Sequence, residues 1–265
     1  MEQLPVELLA IARDLAGQAA TLLVDGLTRR RAEISTKSTH TDMVTDMDRA
    51  SERLIAEGIQ ERRPNDSIVG EEGAAVAGES GVRWLVDPID GTTNYLYGHP
   101  GFAVSIAAQR GGETIAGVVR DPLHGDEFAA AKGLGATRNG RAVIAPDHDD
   151  LATALVATGF AYDAATRARQ AKVLEYVLPR VRDIRRMGAA AVDFCSVAVG
   201  RVNAYYEREL SLWDLAAGAL IAAEAGVTVE SLDGPLGAGG LVLAAPRSLF
   251  GPFRDLLLSA GAAEG

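Results

Sequence analysis

Two aspartates joined by a stiff linker are the residues of this sequence best suited to bind a cation. The segment LVDPIDGTTNY places Asp87 and Asp90 three positions apart, directly after an apolar run. Pro88 fixes its own backbone and restricts Asp87 to an extended conformation, and the carbonyl of Ile89 is available to a ligand. Hard divalent cations such as Mg²⁺ prefer carboxylate and carbonyl oxygens. The segment is therefore either a polar turn after a strand or a cation site.

The three residues after this pair favour a phosphate group. Gly91, Thr92 and Thr93 stand where a helix can begin, and the exposed N–H groups at the start of a helix bind anions. Glycine has no side chain to keep a phosphate away from the backbone. The whole segment thus predicts neighbouring sites for cations and for a phosphate.

Four further carboxylates stand at the ends of apolar segments. Each of them alone has an ordinary explanation, because a charge at a helix start complements the helix dipole and a loop carboxylate is well solvated. Together with the aspartate pair they predict one acidic site assembled from distant parts of the chain. The four residues are Asp48, Glu71, Glu72 and Asp214.

The overall charge narrows the class of partner. The 265 residues are 48% hydrophobic and 23% charged, with a formal net charge of −10. Nucleic acids and anionic membranes need basic surfaces, so we expect neither as a partner, whereas a small phosphate bound through cations is compatible with this charge. We expect a cytoplasmic protein, because the N-terminus lacks the basic region of a secretory signal and no run of about 18 apolar residues occurs.

Apolar spacing predicts the elements that must position the carboxylates in the first part of the chain. Apolar residues at helical spacing predict one helix over 5–31 and a second over about 44–63, capped by Thr45. Two short strands follow at 67–70 and 82–86, and each ends at carboxylates. We therefore expect the acidic site at the ends of these strands.

The pattern changes twice further along the chain. Alternating and β-branched runs over 102–144, with a two-residue Asn139-Gly140 turn, predict an antiparallel meander. After a polar break at 145–150, strands alternate with helices. We therefore predict an α+β half, residues 1–146, packed on an α/β half, residues 147–265. The helices predicted in the second half cover about 166–182, 190–199, 212–225 and 247–260.

The spacing of the remaining residues does not indicate a zinc site, a catalytic triad or a dinucleotide-binding loop. The four histidines lie in turn-like contexts without the spacing of zinc ligands, and no Ser-His-Asp or Cys-His arrangement is evident. The segment GLGATRNG at 133–140 runs into a hairpin rather than a helix, which argues against a dinucleotide-binding loop. The single cysteine, Cys195, has apolar neighbours and is expected to be a buried thiol.

Several segments, in order along nearly the whole chain, resemble the signature segments of the inositol monophosphatase family of Mg²⁺-dependent, Li⁺-sensitive phosphatases. The most specific are WLVDPIDGTTNY (84–95) and LWDLAAGALIAAEAG (212–226), with GEE (70–72) before them. The resemblance implies a layered αβαβα sandwich, similar to fructose-1,6-bisphosphatase. This fold agrees with the α+β and α/β halves predicted from the pattern.

The resemblance implies a set of metal ligands. Glu71, Asp87 and the carbonyl of Ile89 would hold a first ion, and Asp87, Asp90 and Asp214 would hold a second, with Asp87 bridging the two. Glu71 would also approach a third ion, so two or three Mg²⁺ ions would occupy the active site.

The resemblance also implies which residues act on water and substrate. Thr92 would hydrogen-bond Asp48 and orient the attacking water, with Glu71 as the third catalytic residue; the V-T-x-x-D spacing selects Asp48 rather than Asp46. Lys37 would be a charged residue just outside the metal ligands. The residues implied to bind the substrate are Asp90, Gly91, Thr92, Ala190, Glu207 and Asp214.

The implied reaction is hydrolysis of inositol 1-phosphate, or a similar polyol monophosphate, by a metal-activated water without a phosphoenzyme. The implied assembly is a homodimer. Histidinol phosphate is the main alternative substrate, followed by fructose 1,6-bisphosphate and 3′-phosphoadenosine phosphates. A non-catalytic binding or regulatory protein with the same fold is the alternative from a different class.

Overall fold

The computed structural model describes residues 3–27, 34–36 and 43–264, which contain seven α-helices and fifteen strands. The helices are α1 (Gln3–Leu27), α2 (Asp46–Arg62), α3 (Thr92–Tyr97), α4 (Ala164–Val177), α5 (Ala190–Ala198), α6 (Leu212–Glu224) and α7 (Arg247–Ser259). The strands are β1 (Ile34–Thr36), β2 (Met43–Thr45), β3 (Ser67–Gly70), β4 (Ala75–Val76), β5 (Val82–Asp90), β6 (Ala103–Arg110), β7 (Glu113–Asp121), β8 (Asp126–Ala131), β9 (Ala136–Arg138), β10 (Arg141–Val143), β11 (Leu155–Thr158), β12 (Asp183–Arg185), β13 (Ala204–Glu207), β14 (Val227–Ser231) and β15 (Val242–Pro246).

The strands form two large sheets and one short ribbon. The larger sheet has eight strands in the order β10-β9-β8-β7-β6-β5-β3-β4, and its strands are antiparallel except for β3 beside β5. The smaller sheet has five strands in the order β12-β11-β13-β15-β14, with β11 parallel to both neighbours. The ribbon pairs β1 with β2. The predicted meander is confirmed as β6 to β10.

The helices complete five layers, which confirms the predicted αβαβα sandwich. Helices α1 and α2 cover one face of the larger sheet, and α5 and α6 cover the other. The opposite sides of α5 and α6 pack on the smaller sheet, whose outer face is covered by α7 and α4. Helices α5 and α6 contribute to the cores of both sheets. The predicted division of the chain into residues 1–146 and 147–265 is not tested by this packing and stays a prediction.

Local signals account for most of the predicted elements. Thr45 caps α2, and its hydroxyl accepts hydrogen bonds from the backbone N–H groups of Met47 and Asp48. At the turn between β9 and β10, Asn139 and Gly140 have φ angles of 52° and 73°, as a type I′ hairpin turn requires. Cys195 is buried, as expected. None of the described helices is long and apolar enough to cross a membrane.

The contact between α6 and the larger sheet is close enough to require a glycine. A Cβ atom placed on Gly117 of β7 would lie 2.9 Å from the Cα of Ala217 in α6. The Cα of Ala217 belongs to the backbone of a packed helix, and Gly117 belongs to a packed strand, so neither element can move away easily. Gly117 therefore sets the distance between the sheet and the helix that carries Asp214.

Gly117→Ala is expected to lower the free energy of unfolding by about 1–3 kcal/mol through overpacking, and the melting temperature by several degrees. The measurement is thermal unfolding followed by circular dichroism. The matched control is Gly17→Ala in α1, where no atom lies within 4 Å of the added methyl and no loss is expected. An unchanged melting temperature for Gly117→Ala would contradict the close contact.

Candidate active site

A cavity of about 330 Å³ opens where the end of β5 meets the first turns of α3, α5 and α6. The volume is within the usual range for small-molecule sites. All of the predicted metal and substrate residues line it, which places residues from both sheets around one space. These residues are Glu71, Asp87, Ile89, Asp90, Gly91, Thr92, Ala190, Glu207 and Asp214.

A β-bulge explains how Asp87 and Asp90 reach the same cavity. Side chains alternate between the faces of a strand, so residues three apart normally point to opposite sides. Asp87 pairs with Ser105 but Asp90 pairs with Ala103, so β5 contains one residue more than β6 over this interval. The extra residue returns Asp90 to the side of Asp87. Pro88, which has no N–H to donate, lies inside the bulge, as expected for proline in a sheet.

Three of the carboxylates that line the cavity lie close together. Oxygen atoms of Glu71, Asp87 and Asp214 all lie within 4.8 Å of one another, a spacing that one or more divalent cations can bridge. Asp90 lines the same cavity but is held differently. Its two carboxylate oxygens accept hydrogen bonds from the backbone N–H groups of Ala190, at 3.0 Å, and Ala191, at 2.7 Å. Asp90 thus joins β5 to the first turn of α5.

Two helix starts hold the other aspartates. A carboxylate oxygen of Asp214 accepts a hydrogen bond from the backbone N–H of Ser211 at 2.7 Å, and one of Asp48 accepts from the backbone N–H of Thr45 at 2.7 Å. Each side chain therefore satisfies a donor at the start of its own helix. The second oxygen of Asp48 accepts a hydrogen bond from the hydroxyl of Thr92 at 3.0 Å. The predicted Thr92–Asp48 pair is present.

The loop that carries Glu71 is held by a residue that the sequence analysis missed. The buried carboxylate of Glu52, on α2, accepts hydrogen bonds from the backbone N–H groups of Glu72 at 2.7 Å and Ala74 at 2.8 Å. The two donor residues are the neighbours of Gly73 in the sequence, and the first of them directly follows Glu71. Glu72, which the charge pattern grouped with the site, does not line the cavity. Lys37 lies outside the described residues.

Glu207, at the end of β13, also lines the cavity. The hydroxyl of Tyr205 donates a hydrogen bond to a carboxylate oxygen of Glu207 at 2.6 Å. Burial raises the pKa of Glu207 to about 6, while the Tyr205 hydrogen bond and the nearby Arg186 oppose the increase. Sequence reasoning missed both Tyr205 and Arg186. Tyr205 could have been predicted, because it stands two positions before Glu207 and residues two apart point to the same face of a strand.

Burial and mutual repulsion make the acidic cluster unfavourable when it is fully ionised. Burial raises the pKa of Asp87 well above its usual value, and the charges of Glu71, Asp90 and Asp214 raise it further. Burial likewise raises the pKa of Asp214, and it raises that of Asp90 to about 7 although the N–H groups of α5 oppose it. A bound cation would relieve this repulsion.

A layered αβαβα fold with oxygen ligands gathered beside a helix start is the arrangement of a metal-dependent phosphatase. The comparisons with known proteins agree. The profile of the inositol monophosphatase family matches residues 5–259. The chain therefore belongs to the inositol monophosphatase family, which confirms the resemblance and the phosphatase class inferred from the sequence.

Individual relatives cover almost the whole chain. An inositol-1-monophosphatase of Mycobacterium leprae is 44% identical, over 97% of this chain and 94% of its own length. A protein of Pasteurella multocida named Nus factor SuhB is 40% identical, over 91% of this chain and 92% of its own. The solved structure of the inositol monophosphatase of Anabaena sp. superposes with a TM-score of 0.83 at 35% identity, over 96% of each chain.

The cluster predicts a coupling between Mg²⁺, pH and stability. A carboxyl group whose pKa is raised in the folded state favours folding while it is protonated, and this contribution is lost as the pH rises through the raised pKa. Because the pKa of Asp90 is raised from 3.8 to about 7, the metal-free protein is expected to lose stability as the pH rises from about 4 to about 7. Mg²⁺ at about 100 times its dissociation constant should add about 2.7 kcal/mol, or about 5–10 °C in melting temperature.

Asp87→Asn tests this coupling, because it removes one buried titratable group with little change in volume. The metal-free variant is expected to lose less stability than the metal-free wild type as the pH rises, and to lose most of the increase in melting temperature that Mg²⁺ causes. The measurement is scanning fluorimetry with EDTA or MgCl₂. The control is Asp255→Asn, an exposed aspartate paired with Arg254. Equal Mg²⁺ shifts in wild type and Asp87→Asn would argue against a metal role for Asp87.

Proposed function

We propose that this chain hydrolyses the phosphate ester of a polyol, with inositol 1-phosphate as the principal substrate, to the free alcohol and phosphate. The observation that best supports this proposal is that one cavity contains both a cluster of three carboxylates and a separate carboxylate with different surroundings. The cluster of Glu71, Asp87 and Asp214 suits cations, whereas Glu207, outside this cluster but in the same cavity, suits hydroxyl groups as a hydrogen-bond acceptor. The 44% identity to an inositol-1-monophosphatase supports the choice of inositol.

The ligands available in the cavity fit Mg²⁺. Among the described residues that line it, every metal-binding group is an oxygen donor, which suits a hard cation. Glu71, Asp87 and the carbonyl of Ile89 would hold one ion; Asp87, Asp90 and Asp214 would hold a second; Glu71 would approach a third. When bound, such ions lower the pKa of water and stabilise the oxygen that leaves phosphorus.

Thr92 and Asp48 orient the attacking water. The hydroxyl of Thr92 lies 3.0 Å from a carboxylate oxygen of Asp48 and 3.1 Å from the carbonyl oxygen of Ile89. Because both neighbours are acceptors, the hydroxyl proton points to one of them and its lone pairs remain available to a water. A water that donates to Thr92 turns its own lone pair toward phosphorus, and Glu71, which lines the same cavity, would accept its proton. No residue needs to form a covalent phosphoryl intermediate.

The remaining residues bind the substrate. The backbone N–H groups of Gly91 and Thr92 hold phosphate oxygens, since the first N–H groups of a helix have no partner within it. Gly91 has a φ angle of 91°, and an added Cβ would lie 3.0 Å from the carbonyl oxygen of Gly188, so the turn needs glycine. Glu207, Asp90 and the backbone at Ala190 bind the polyol hydroxyls.

A substrate panel tests the proposal. Phosphate release is measured for inositol 1-phosphate, histidinol phosphate, fructose 1,6-bisphosphate and adenosine 3′,5′-bisphosphate, with MgCl₂, with EDTA, and with MgCl₂ plus LiCl. We expect the highest kcat/KM for inositol 1-phosphate, loss of activity in EDTA, and inhibition by Li⁺. Histidinol phosphate is the most informative rival, because its ammonium group could pair with the Glu207 carboxylate.

The same panel separates catalysis from a purely regulatory role. The name of the Pasteurella relative, Nus factor SuhB, makes a binding function the alternative class. Absence of Mg²⁺-dependent hydrolysis for every substrate and for p-nitrophenyl phosphate would favour that class and overturn the proposal. The retained cluster of Glu71, Asp87 and Asp214 favours catalysis, because binding a protein partner does not require three carboxylates within a cavity.

We further propose a homodimer, on the basis of the family resemblance, and a cytoplasmic location, as the sequence pattern leads us to expect. Light scattering coupled to gel filtration should then give twice the 27.7 kDa mass of the chain. A single species at the mass of one chain would exclude the dimer without affecting the proposed reaction.

Thr92→Ala is expected to lower kcat by about 100-fold, the order of loss caused by misplacing a reacting group, while KM changes little. A loss confined to kcat is the pattern for an interaction made mainly in the transition state. Steady-state kinetics with inositol 1-phosphate gives both constants. Thr92→Ser, which keeps the hydroxyl, is the control and should lose much less. A rise in KM at unchanged kcat would show that Thr92 only binds substrate.

A further inference from the structure

We propose that Gly159 is a positioning residue that sets the selectivity of the cavity for polyols. Its missing side chain leaves the space in which the carboxylate of Glu207 lies. The inference deepens the proposed function and rests on it, because it concerns the residue that would bind substrate hydroxyls.

The pairing of two strands brings Gly159 next to Glu207, although 48 residues separate them in the sequence. Strands β11 and β13 run parallel, with Thr158 opposite Tyr206, so the next residues along each strand are Gly159 and Glu207. Both line the cavity. Only the tertiary structure makes them neighbours.

The space at Gly159 is filled by the functional carboxylate itself. A Cβ atom placed on Gly159 would overlap Cδ and both carboxylate oxygens of Glu207, which are its three nearest atoms. The φ angle of Gly159 lies outside the left-handed region, so its backbone accepts an alanine. Glycine is therefore required here for space rather than for backbone conformation.

The overlap has a specific consequence for function. The overlapping atoms are the end of a flexible side chain, so a methyl group at position 159 moves the carboxylate and leaves the strands in place. The hydroxyl of Tyr205, which donates to Glu207 at 2.6 Å, would lose its partner. A displaced carboxylate cannot accept hydrogen bonds from substrate hydroxyls, whereas the cluster of Glu71, Asp87 and Asp214 is unaffected.

The test compares two substrates in Gly159→Ala. For inositol 1-phosphate we expect kcat/KM to fall at least 10-fold, mostly through KM. For p-nitrophenyl phosphate, whose leaving group has no hydroxyls for Glu207 to bind, the loss should be at least fivefold smaller. Gly251→Ala, at a position with no atom within 4 Å of the added methyl, is the matched control and should leave both values unchanged.

A double-mutant cycle separates positioning from a general structural effect. In a Glu207→Ala background the overlapping carboxylate is absent, so Gly159→Ala is expected to have no further effect on inositol 1-phosphate. Additive losses in the double variant would overturn the inference, as would equal losses on both substrates.

The wild type itself tests the basis of the inference. A wild-type enzyme that does not prefer inositol 1-phosphate or another polyol phosphate to p-nitrophenyl phosphate would overturn both the proposed function and the role of Gly159. A wild-type preference that Gly159→Ala leaves unchanged would overturn the role of Gly159 alone.

Discussion

The structure depends on holding several negative charges close together in a partly enclosed cavity. Burial and mutual repulsion both oppose ionised carboxylates, so each one needs a fixed partner that keeps it in place. The backbone provides most of these partners. The start of α5 holds both oxygens of Asp90, and the first turns of α2 and α6 hold Asp48 and Asp214. The remaining repulsion is what makes the site attractive to divalent cations.

The five-layer fold holds in place the helix starts whose backbone N–H groups bind these carboxylates. Helices α5 and α6 lie between the two sheets and contribute to the cores on both sides, so the residues at their first turns cannot move independently of either sheet. The larger sheet contributes Asp87 and Asp90 to the cavity, and the smaller sheet contributes Glu207. The cavity is therefore lined by residues from both sheets and from the helices between them. The small residues of α6, such as Ala217, allow the close packing that this arrangement needs.

Most elements could be predicted because their signals are local. Apolar spacing located the helices, Thr45 marked the start of α2, and Asn139-Gly140 marked a hairpin turn. The bulge at Pro88 was not predicted, because it is defined by the register of β5 against β6. Arg186 and Glu52 were missed for a similar reason: each acts on a partner whose distance depends on how separate elements pack. Tyr205, by contrast, lies two residues before Glu207 on the same strand and could have been found from the alternation of side chains along a strand. The resemblance selected the candidate metal and substrate residues, all of which line the cavity, whereas the charge pattern alone left a larger group including Glu72.

The sequence by itself determined the order of the elements, the acidic character of the site and the family, because all three reside in residue types and short-range spacing. The tertiary structure alone decided which carboxylates share a space, how their pKa values are raised, and why position 159 has no side chain. These features depend on distances between residues far apart in the chain. Such distances are set by strand register and helix packing, and neither can be read from a linear pattern.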